Sequence, residues 1–193
     1  GLWSGSPNDY GSDWQLIRNK VLIRDKHTCQ HCGSVEGPLH IHHLIPFRQF
    51  QDKFLANNVS NLVTLCSTCH KLAEMQLKIR SGLAGITYLL HNLAPLFVMC
   101  DINDLGAFSE PSCKLADGKP VILLYDAMPG GVGLAEAIFM SSNNLLTAAL
   151  ETINECECVD GCPSCVGVSG EFGTGGKAES KAILQHLLSG HYE

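Results

Sequence analysis

Cysteines are the residues of this 193-residue chain whose spacing points most directly to chemistry. Eight of the ten fall into two Cys-x-x-Cys pairs and one cluster of four. Two-residue gaps let neighbouring thiolates turn toward one ion, which suits a zinc knuckle better than a set of cross-chain disulfides. The spacing therefore predicts zinc binding and a reducing compartment, which we expect to be the cytoplasm of a bacterium or archaeon. The eight residues are Cys29, Cys32, Cys66, Cys69, Cys156, Cys158, Cys162 and Cys165.

Two further segments accompany the Cys-x-x-Cys pairs. A histidine-rich run from Leu39 to Pro46 follows the first pair, and a run that starts at Asn61 leads through the second pair into His70. Taken in order, these pieces closely resemble the zinc-stapled, McrA-like branch of the HNH endonucleases. The ordered set covers about a third of the chain and is far more specific than a single Cys-x-x-Cys. The resemblance implies a ββα-metal fold, with two strands and a helix around one catalytic metal.

The resemblance also implies roles for individual residues. Phosphodiester hydrolysis needs a base that takes a proton from water and a cation that stabilises the leaving 3′ oxygen. By resemblance, His43 is the general base, Asn61 orients its loop, and His42 and His70 are ligands of the catalytic metal. Glu74 lies one helical turn after His70 and is expected to complete this site. Mg²⁺ or Mn²⁺ suits such a mixed set of ligands, and imidazoles also accept Zn²⁺ or Ni²⁺.

Plainer interpretations exist for the same part of the chain. Four thiolates close a tetrahedral zinc shell, so the first four cysteines are expected to hold the fold and not to cut. A lone histidine on a strand is usually a packing residue, and His40 has no counterpart in the family, so we expect it at the surface or beside the site. Arg48 and Lys71 are candidates for contact with DNA phosphates, although single charges are more often only solvated.

A second resemblance covers the rest of the chain. The stretches 100–105 and 125–136, together with the last four cysteines, resemble the C-terminal zinc-binding domain of mitomycin-repair-type DEAD/DEAH-box helicases. This resemblance implies an HNH module at residues 12–80, inserted into a discontinuous host made of residues 1–11 and 81–193. The host would hold a second structural zinc, with a disulfide pair as the alternative. No Walker A motif is present, so helicase motor domains are expected elsewhere in the full-length chain or in a complex.

The distribution of charge agrees with this division. The net charge of −6 at first argues against a nucleic-acid partner. Residues 12–80, however, carry nine Lys and Arg against five Asp and Glu, whereas the remainder has four bases and fourteen acids. The basic segment is therefore the expected contact with DNA phosphates.

Apolar periodicity predicts the elements that position these residues, in an α+β chain whose ββα module is nested in an α/β helicase-associated domain. We expect the helix that begins at Thr68 to end near Arg80, and a separate apolar helix to follow until Pro95 stops or kinks it. A buried strand is expected over 120–125, and the glycine-rich turn after it is expected to reverse the chain, with a phosphate cradle as the alternative. The other predicted elements are a helix at 14–24, strands at 39–45 and 62–65, and helices at 134–139, 145–154 and 178–188.

Two functional hypotheses follow from these patterns. The first is a metal-dependent DNA endonuclease, carried by a helicase-like protein that acts in DNA repair or in defence against foreign DNA. The second is a non-catalytic, zinc-stabilised platform for DNA binding and protein interaction. No apolar stretch reaches the roughly 18 to 20 residues of a membrane span, so a membrane partner is not expected.

Overall fold

The computed structural model describes residues 10–47, 50, 52–167 and 176–190. The chain divides into two compact units, and the divide falls between Met75 and Gln76. The fold is mixed α+β, with one two-stranded antiparallel sheet in each unit.

The first unit contains helix α1 (Trp14–Arg24), strand β1 (Leu39–His43), the short helix α2 (Lys53–Ala56), strand β2 (Leu62–Cys66) and the start of helix α3 (Ser67–Val98). Strands β1 and β2 pair in antiparallel register, with Leu39 opposite Cys66 and His43 opposite Leu62. This order of two strands followed by a helix is the predicted ββα arrangement. Helix α1 has its predicted bounds and buries Val21 and Leu22.

An ion pair at the end of α1 fixes that helix to the hairpin. The Asp25 carboxylate is 7% exposed, and it accepts hydrogen bonds from the Arg24 guanidinium at 2.7 Å and from the Thr64 backbone N–H at 2.9 Å. Arg24 also donates to the Leu62 carbonyl oxygen at 2.7 Å. Because these partners lie in β2, the charged pair sets the position of α1 relative to the strand that leads into the second cysteine pair.

Helix α3 corrects the expectation of two separate helices. It runs without a break from Ser67 to Val98 and continues past Pro95. Ser81-Gly82 resembles a helix end in the sequence, but a Cβ at Gly82 would lie 2.5 Å from Ile183 Cδ1, and one at Gly85 would lie 2.3 Å from Ser180 Oγ. These glycines therefore permit the close approach of another helix.

The continuity of α3 also changes the membrane assessment. By length and composition alone, this 32-residue helix is apolar enough to cross a membrane, contrary to the sequence-based expectation. Its apolar residues Ile86, Leu89 and Leu90 nevertheless belong to the hydrophobic core of the second unit. A core helix of a globular protein passes the same test, so this helix is weak evidence for a membrane span.

The second unit adds strands β3 (Leu105–Cys113) and β4 (Lys119–Asp126) and helices α4 (Leu134–Met140), α5 (Ser142–Glu155) and α6 (Lys177–Leu188). Strand β3 was not predicted, and it pairs with β4 in antiparallel register. The strand predicted at 120–125 is present within β4, but the expectation that it is buried was wrong, because Leu123 and Tyr125 are 54% and 45% exposed. Only one face of this hairpin is covered: Leu105 belongs to the hydrophobic core of this unit, and Ile122 and Leu124 pack against it.

The glycine-rich turn between β4 and α4 is organised by Asp126. Its carboxylate accepts hydrogen bonds from the backbone N–H groups of Val132, Gly133 and Ala135 at 2.7, 2.9 and 2.6 Å. The N–H of Ala135 and its neighbours therefore hold the pKa of this carboxyl below its usual range. A phosphate would need the same donors, so the structure supports the interpretation of a chain reversal.

Candidate active site and zinc centres

The first four-cysteine group joins three elements of the first unit. Cys29 and Cys32 lie in the turn after α1, Cys66 ends β2, and Cys69 lies in the first turn of α3. The four Sγ atoms lie within 4.8 Å of one another, and Cys32 Sγ is 3.8 Å from Cys66 Sγ. Tetrahedral zinc with Zn–S bonds of about 2.3 Å places its sulfur atoms about 3.8 Å apart. The group therefore fits a structural zinc.

The protonation of these thiols shows why a cation suits the group. Burial raises the pKa of the Cys29 thiol, but backbone N–H groups of Cys32, Cys66 and His31 outweigh it and lower that pKa to about 6. Hydrogen bonding to Cys66, together with burial, raises the pKa of Cys69 to about 12. Cys29 thus loses its proton readily, whereas the neighbours of Cys69 disfavour its thiolate. A bound divalent ion would stabilise the thiolate form of both residues.

The second four-cysteine group has a comparable geometry. The Sγ atoms of Cys156, Cys158, Cys162 and Cys165 are separated by 3.4 to 3.7 Å along four of their edges. Lys177, at the start of α6, donates through Nζ to the backbone carbonyl of Cys156 and, at 2.6 Å, to that of Cys158. A zinc bound by four thiolates carries net negative charge, so this ammonium stabilises the site electrostatically. Both groups are sites of structural zinc.

Three histidines lie together where β1 meets the start of α3. His40 and His42 occupy the same face of β1, because side chains alternate along a strand. The His70 ring lies 5.1 Å from the His40 ring and 5.2 Å from the His42 ring, measured between centroids. His40 is exposed, and its Nε2 lies 3.1 Å from Ser67 Oγ. The predicted pair of metal-ligand histidines is therefore brought together, with His40 beside it.

The surroundings of His42 and His70 favour the uncharged form of each ring. Burial, followed by the positive charge of His70, lowers the pKa of His42. Burial lowers the pKa of His70 as well, although the nearby Glu74 carboxylate opposes that shift. Neutral imidazole is the form that binds metal, so both rings are suited to act as ligands near neutral pH.

Glu74 lies beside His70 as the helical spacing predicts. Its Oε1 is 3.7 Å from His70 Nδ1, and the side chain is 53% exposed. Within the described ranges, only the two four-cysteine groups bring three or more candidate ligand atoms within 4.8 Å of one another. His42, His70 and Glu74 are neighbours that do not converge this closely.

His43 lies on the other face of β1, among aromatic rings. Its ring stacks with Tyr10 and Trp14, at centroid distances of 5.4 and 5.6 Å, and meets Phe47 edge-on at 5.5 Å. Its Nε2 is 3.0 Å from Asn57 Oδ1. Burial lowers the pKa of His43, and the hydrogen bond to Asn57 opposes that shift.

Asn61 is 8% exposed and holds the chain that follows β1. Its Oδ1 accepts from the Ile45 N–H at 2.8 Å, and its Nδ2 donates to the carbonyl oxygens of Ile45 and Ala56 at 3.0 and 2.9 Å. Its own carbonyl accepts from the Leu44 N–H at 2.8 Å. These four bonds connect the segment after His43 to the turn before β2.

Family comparisons match both units. The HNH endonuclease family matches residues 29–75, and the family described as the MrfA Zn-binding domain matches residues 86–166. The uncharacterized ATP-dependent helicase YprA of Bacillus subtilis is 43% identical over 105 residues, which cover 54% of this chain and 13% of YprA. The uncharacterized protein MJ1572.1 of Methanocaldococcus jannaschii is 34% identical over 112 residues, which cover 54% of this chain and 98% of that protein. The chain thus carries an HNH endonuclease domain and an MrfA-type zinc-binding domain, and its relatives include a helicase.

Among solved structures, the chain is similar to the DUF1998 helicase MrfA bound to DNA. The TM-score is 0.51 at 37% sequence identity, over 57% of this chain and 14% of that one. The chain thus spans a small part of the helicases that it matches. The HNH domain and the helicase relatives together indicate a nuclease or helicase-associated role.

Sequence reasoning missed the partners of His43, among them Asn57 and Tyr10. Asn57 lies between the predicted strands at 39–45 and 62–65, and Tyr10 lies in the predicted host segment 1–11. Neither lies at a motif spacing from His43, so no signal in the sequence indicated the contacts. Of the two candidate DNA contacts, Lys71 is exposed at the start of α3, and Arg48 lies outside the described residues.

Proposed function

We propose that this chain is a metal-dependent DNA endonuclease, which serves as the nuclease part of a helicase-like protein in DNA repair or in defence against foreign DNA. The observation that supports this most is the pairing of His42 with His70, with Glu74 one turn further along α3. The next residue of β1, His43, is the proposed general base. Two imidazoles and a carboxylate fit a divalent ion such as Mg²⁺ or Mn²⁺, and Zn²⁺ or Ni²⁺ also suits the imidazoles.

The proposed reaction is the hydrolysis of a phosphodiester. His43 takes a proton from a water molecule, whose oxygen forms a bond to phosphorus while the bond from phosphorus to the 3′ oxygen breaks. The leaving oxygen keeps the electron pair and takes up a proton from solvent, and His43 later releases its own proton. When bound, the divalent ion would hold the phosphate and stabilise charge on the leaving oxygen. Burial of the His43 ring supports its role, since a lowered pKa keeps it neutral and able to accept the proton.

We propose that Asn61 positions the general base, His43. Its bonds to both backbone groups of Ile45 restrain the chain two residues after His43. A base has to stay within hydrogen-bond reach of the attacking water, so this restraint is useful to catalysis.

DNA and helicase motor domains are the proposed partners, in the cytosol. The basic segment 12–80 would bind phosphates, with exposed Lys71 beside His70, and Arg48 remains a candidate on sequence grounds. We also keep the nested arrangement, an HNH module at 12–80 within a host of 1–11 and 81–193, as a proposal. The separate family matches at 29–75 and 86–166 support two modules in one chain.

The alternative is a non-catalytic platform, and one observation favours it. His42, His70 and Glu74 do not bring three ligand atoms within 4.8 Å of one another, unlike the two cysteine groups. In that case the HNH fold would serve as a basic clamp on DNA, stabilised by zinc.

The substitution His43→Ala distinguishes these functions. We expect plasmid nicking in Mg²⁺ or Mn²⁺ to fall by about 10²- to 10⁴-fold, the usual contribution of a general base. DNA affinity should stay near that of the wild type, because it comes mainly from Lys and Arg contacts to phosphates. His42→Ala and His70→Ala should recover part of their activity at higher metal concentration.

His186→Ala is the matched control, since His186 is an exposed histidine of α6 in the second unit. It should nick DNA at the wild-type rate, and chelator should abolish nicking in every active variant. Unchanged nicking by His43→Ala, or no nicking by the wild type in any divalent metal, would favour the platform.

A further inference from the structure

The side chain of Asn57 bridges His43 and the backbone of Tyr10. Its Oδ1 lies 3.0 Å from His43 Nε2, and its Nδ2 lies 2.8 Å from the Tyr10 carbonyl oxygen. Asn57 is only 5% exposed, so few water molecules compete for either contact. The residue immediately follows α2, fourteen positions after His43 in the chain.

These two contacts determine the orientation of the Asn57 amide, that is, which partner faces its oxygen and which faces its nitrogen. The Tyr10 carbonyl can only accept a hydrogen bond, so it must face the NH₂ group of Asn57. The amide oxygen of Asn57 therefore faces His43, and that oxygen also can only accept. It follows that His43 Nε2 carries a hydrogen and donates it to Asn57. In a neutral imidazole the other nitrogen, Nδ1, then holds the free lone pair.

We propose that Asn57 is a positioning residue, which fixes His43 in the Nε2–H tautomer and thereby makes Nδ1 the atom that takes the proton from water. The inference rests on the proposed function, in which His43 is the general base, and it adds the residue that prepares that base.

The aromatic neighbours make this single hydrogen bond effective. Tyr10 and Trp14 stack with the His43 ring, and Phe47 meets it edge-on. The stacked rings restrain the plane of the imidazole, but they do not distinguish its two nitrogens. A half-turn of the ring would exchange the positions of the nitrogens with those of ring carbons, and the bond to Asn57 opposes that exchange. Asn57 thus sets the tautomer, and the rings set the plane.

Two substitutions in the full chain test the inference. Asn57→Leu keeps a similar volume but removes the acceptor, whereas Asn57→Asp keeps an acceptor for the Nε2–H. We expect Asn57→Leu to lower the nicking rate about 100-fold, as misplacement of a reacting group can do, with DNA affinity unchanged. Asn57→Asp should retain clearly more activity than Asn57→Leu. The neighbouring Asn58→Ala, an exposed control, should nick at the wild-type rate.

Nitrogen NMR of the His43 ring provides a measurement that does not depend on cleavage. In the wild type, Nε2 should carry the proton and Nδ1 should be bare, with the Nε2–H protected from exchange with water. This protection should persist in Asn57→Asp and disappear in Asn57→Leu. If Asn57→Leu does not fold, as judged by its zinc content and circular dichroism, the wild-type and Asn57→Asp spectra still decide the matter.

The outcomes separate this inference from the proposed function. A wild-type Nδ1–H tautomer would overturn the inference even if the protein cuts DNA. Nicking by folded Asn57→Leu at the wild-type rate would overturn it as well. A wild-type protein with the Asn57-dependent Nε2–H that cuts no DNA would support the contact and overturn the nuclease proposal.

Discussion

The substitution Asn61→Ala should destabilise the first unit far more than its small change in volume suggests. The buried side chain makes three hydrogen bonds, two to Ile45 and one to Ala56, and alanine can make none of them. At about 0.5 to 1.5 kcal/mol for each bond, the free energy of unfolding should fall by about 2 to 4 kcal/mol. The loss should be at the upper end if the freed backbone groups stay buried without water.

A matched control removes another asparagine from the same turn. Asn58 is exposed, and its Oδ1 accepts from the N–H and the hydroxyl of Ser60. Loss of a comparable capping residue typically costs about 1 kcal/mol, so Asn58→Ala should be distinctly milder.

Denaturation in urea, with zinc present throughout, measures the difference. A Trp3→Phe background leaves Trp14 as the single tryptophan, and its ring stacks with His43 in the first unit, so its fluorescence follows that unit. Nicking by Asn61→Ala should fall as well, because the chain after His43 loses its restraint. If Asn61→Ala cost no more than Asn58→Ala, the three bonds would not hold this loop, and the reasoning would be refuted.

Two further predictions concern the second unit. The purified chain should retain two zinc ions after mild chelation. In Lys177→Ala, the zinc affinity of the second four-cysteine group should be about 10- to 100-fold weaker, as for other partners of metal ligands, so this variant should retain one zinc ion. If Lys177→Ala released zinc as slowly as Lys181→Ala, one turn further along α6, this prediction would be contradicted. Asp126→Asn should speed hydrogen exchange at Val132 and Ala135, because it weakens the acceptor of their N–H groups, whereas Asp117→Asn in the β3–β4 turn should not. Since the pKa of Asp126 is lowered, protection by the wild-type carboxylate should be complete above about pH 4, the ordinary Asp value, and be lost as the pH falls through its lower folded value. Exchange at Val132 that is equally fast in wild type and Asp126→Asn would refute the role of this carboxylate.

Local patterns were sufficient for several elements. Helix α1 and the strands β1 and β2 follow from apolar periodicity, and the Cys-x-x-Cys spacing predicted both thiolate groups. The order of these pieces along the chain also indicated the HNH module. Such features are set by neighbours in sequence, where thiolate spacing and side-chain alternation act directly.

Other elements depend on contacts that no local pattern encodes. Ser81-Gly82 looks like the end of a helix, yet α3 continues because α6 packs against its glycines. Strand β3 has no regular alternation of apolar residues, and it forms through pairing with β4. Exposure of Leu123 and Tyr125 likewise follows from the fact that this hairpin is covered on one face only.

Side-chain types and their spacing along the chain were enough to predict the zinc-binding cysteines and to propose a base and ligands for a catalytic metal. How the proposed base is held depends on contacts made only in the folded chain. The acceptor of its Nε2–H comes from Asn57, and Tyr10 and Trp14 stack with its ring. Asn57 and the stretch 10–14 lie on opposite sides of His43 in the sequence, so only folding brings them to it. A hydrogen bond of this kind acts over about 3 Å in space, whatever the separation in sequence, and a linear pattern therefore carries no signal for it.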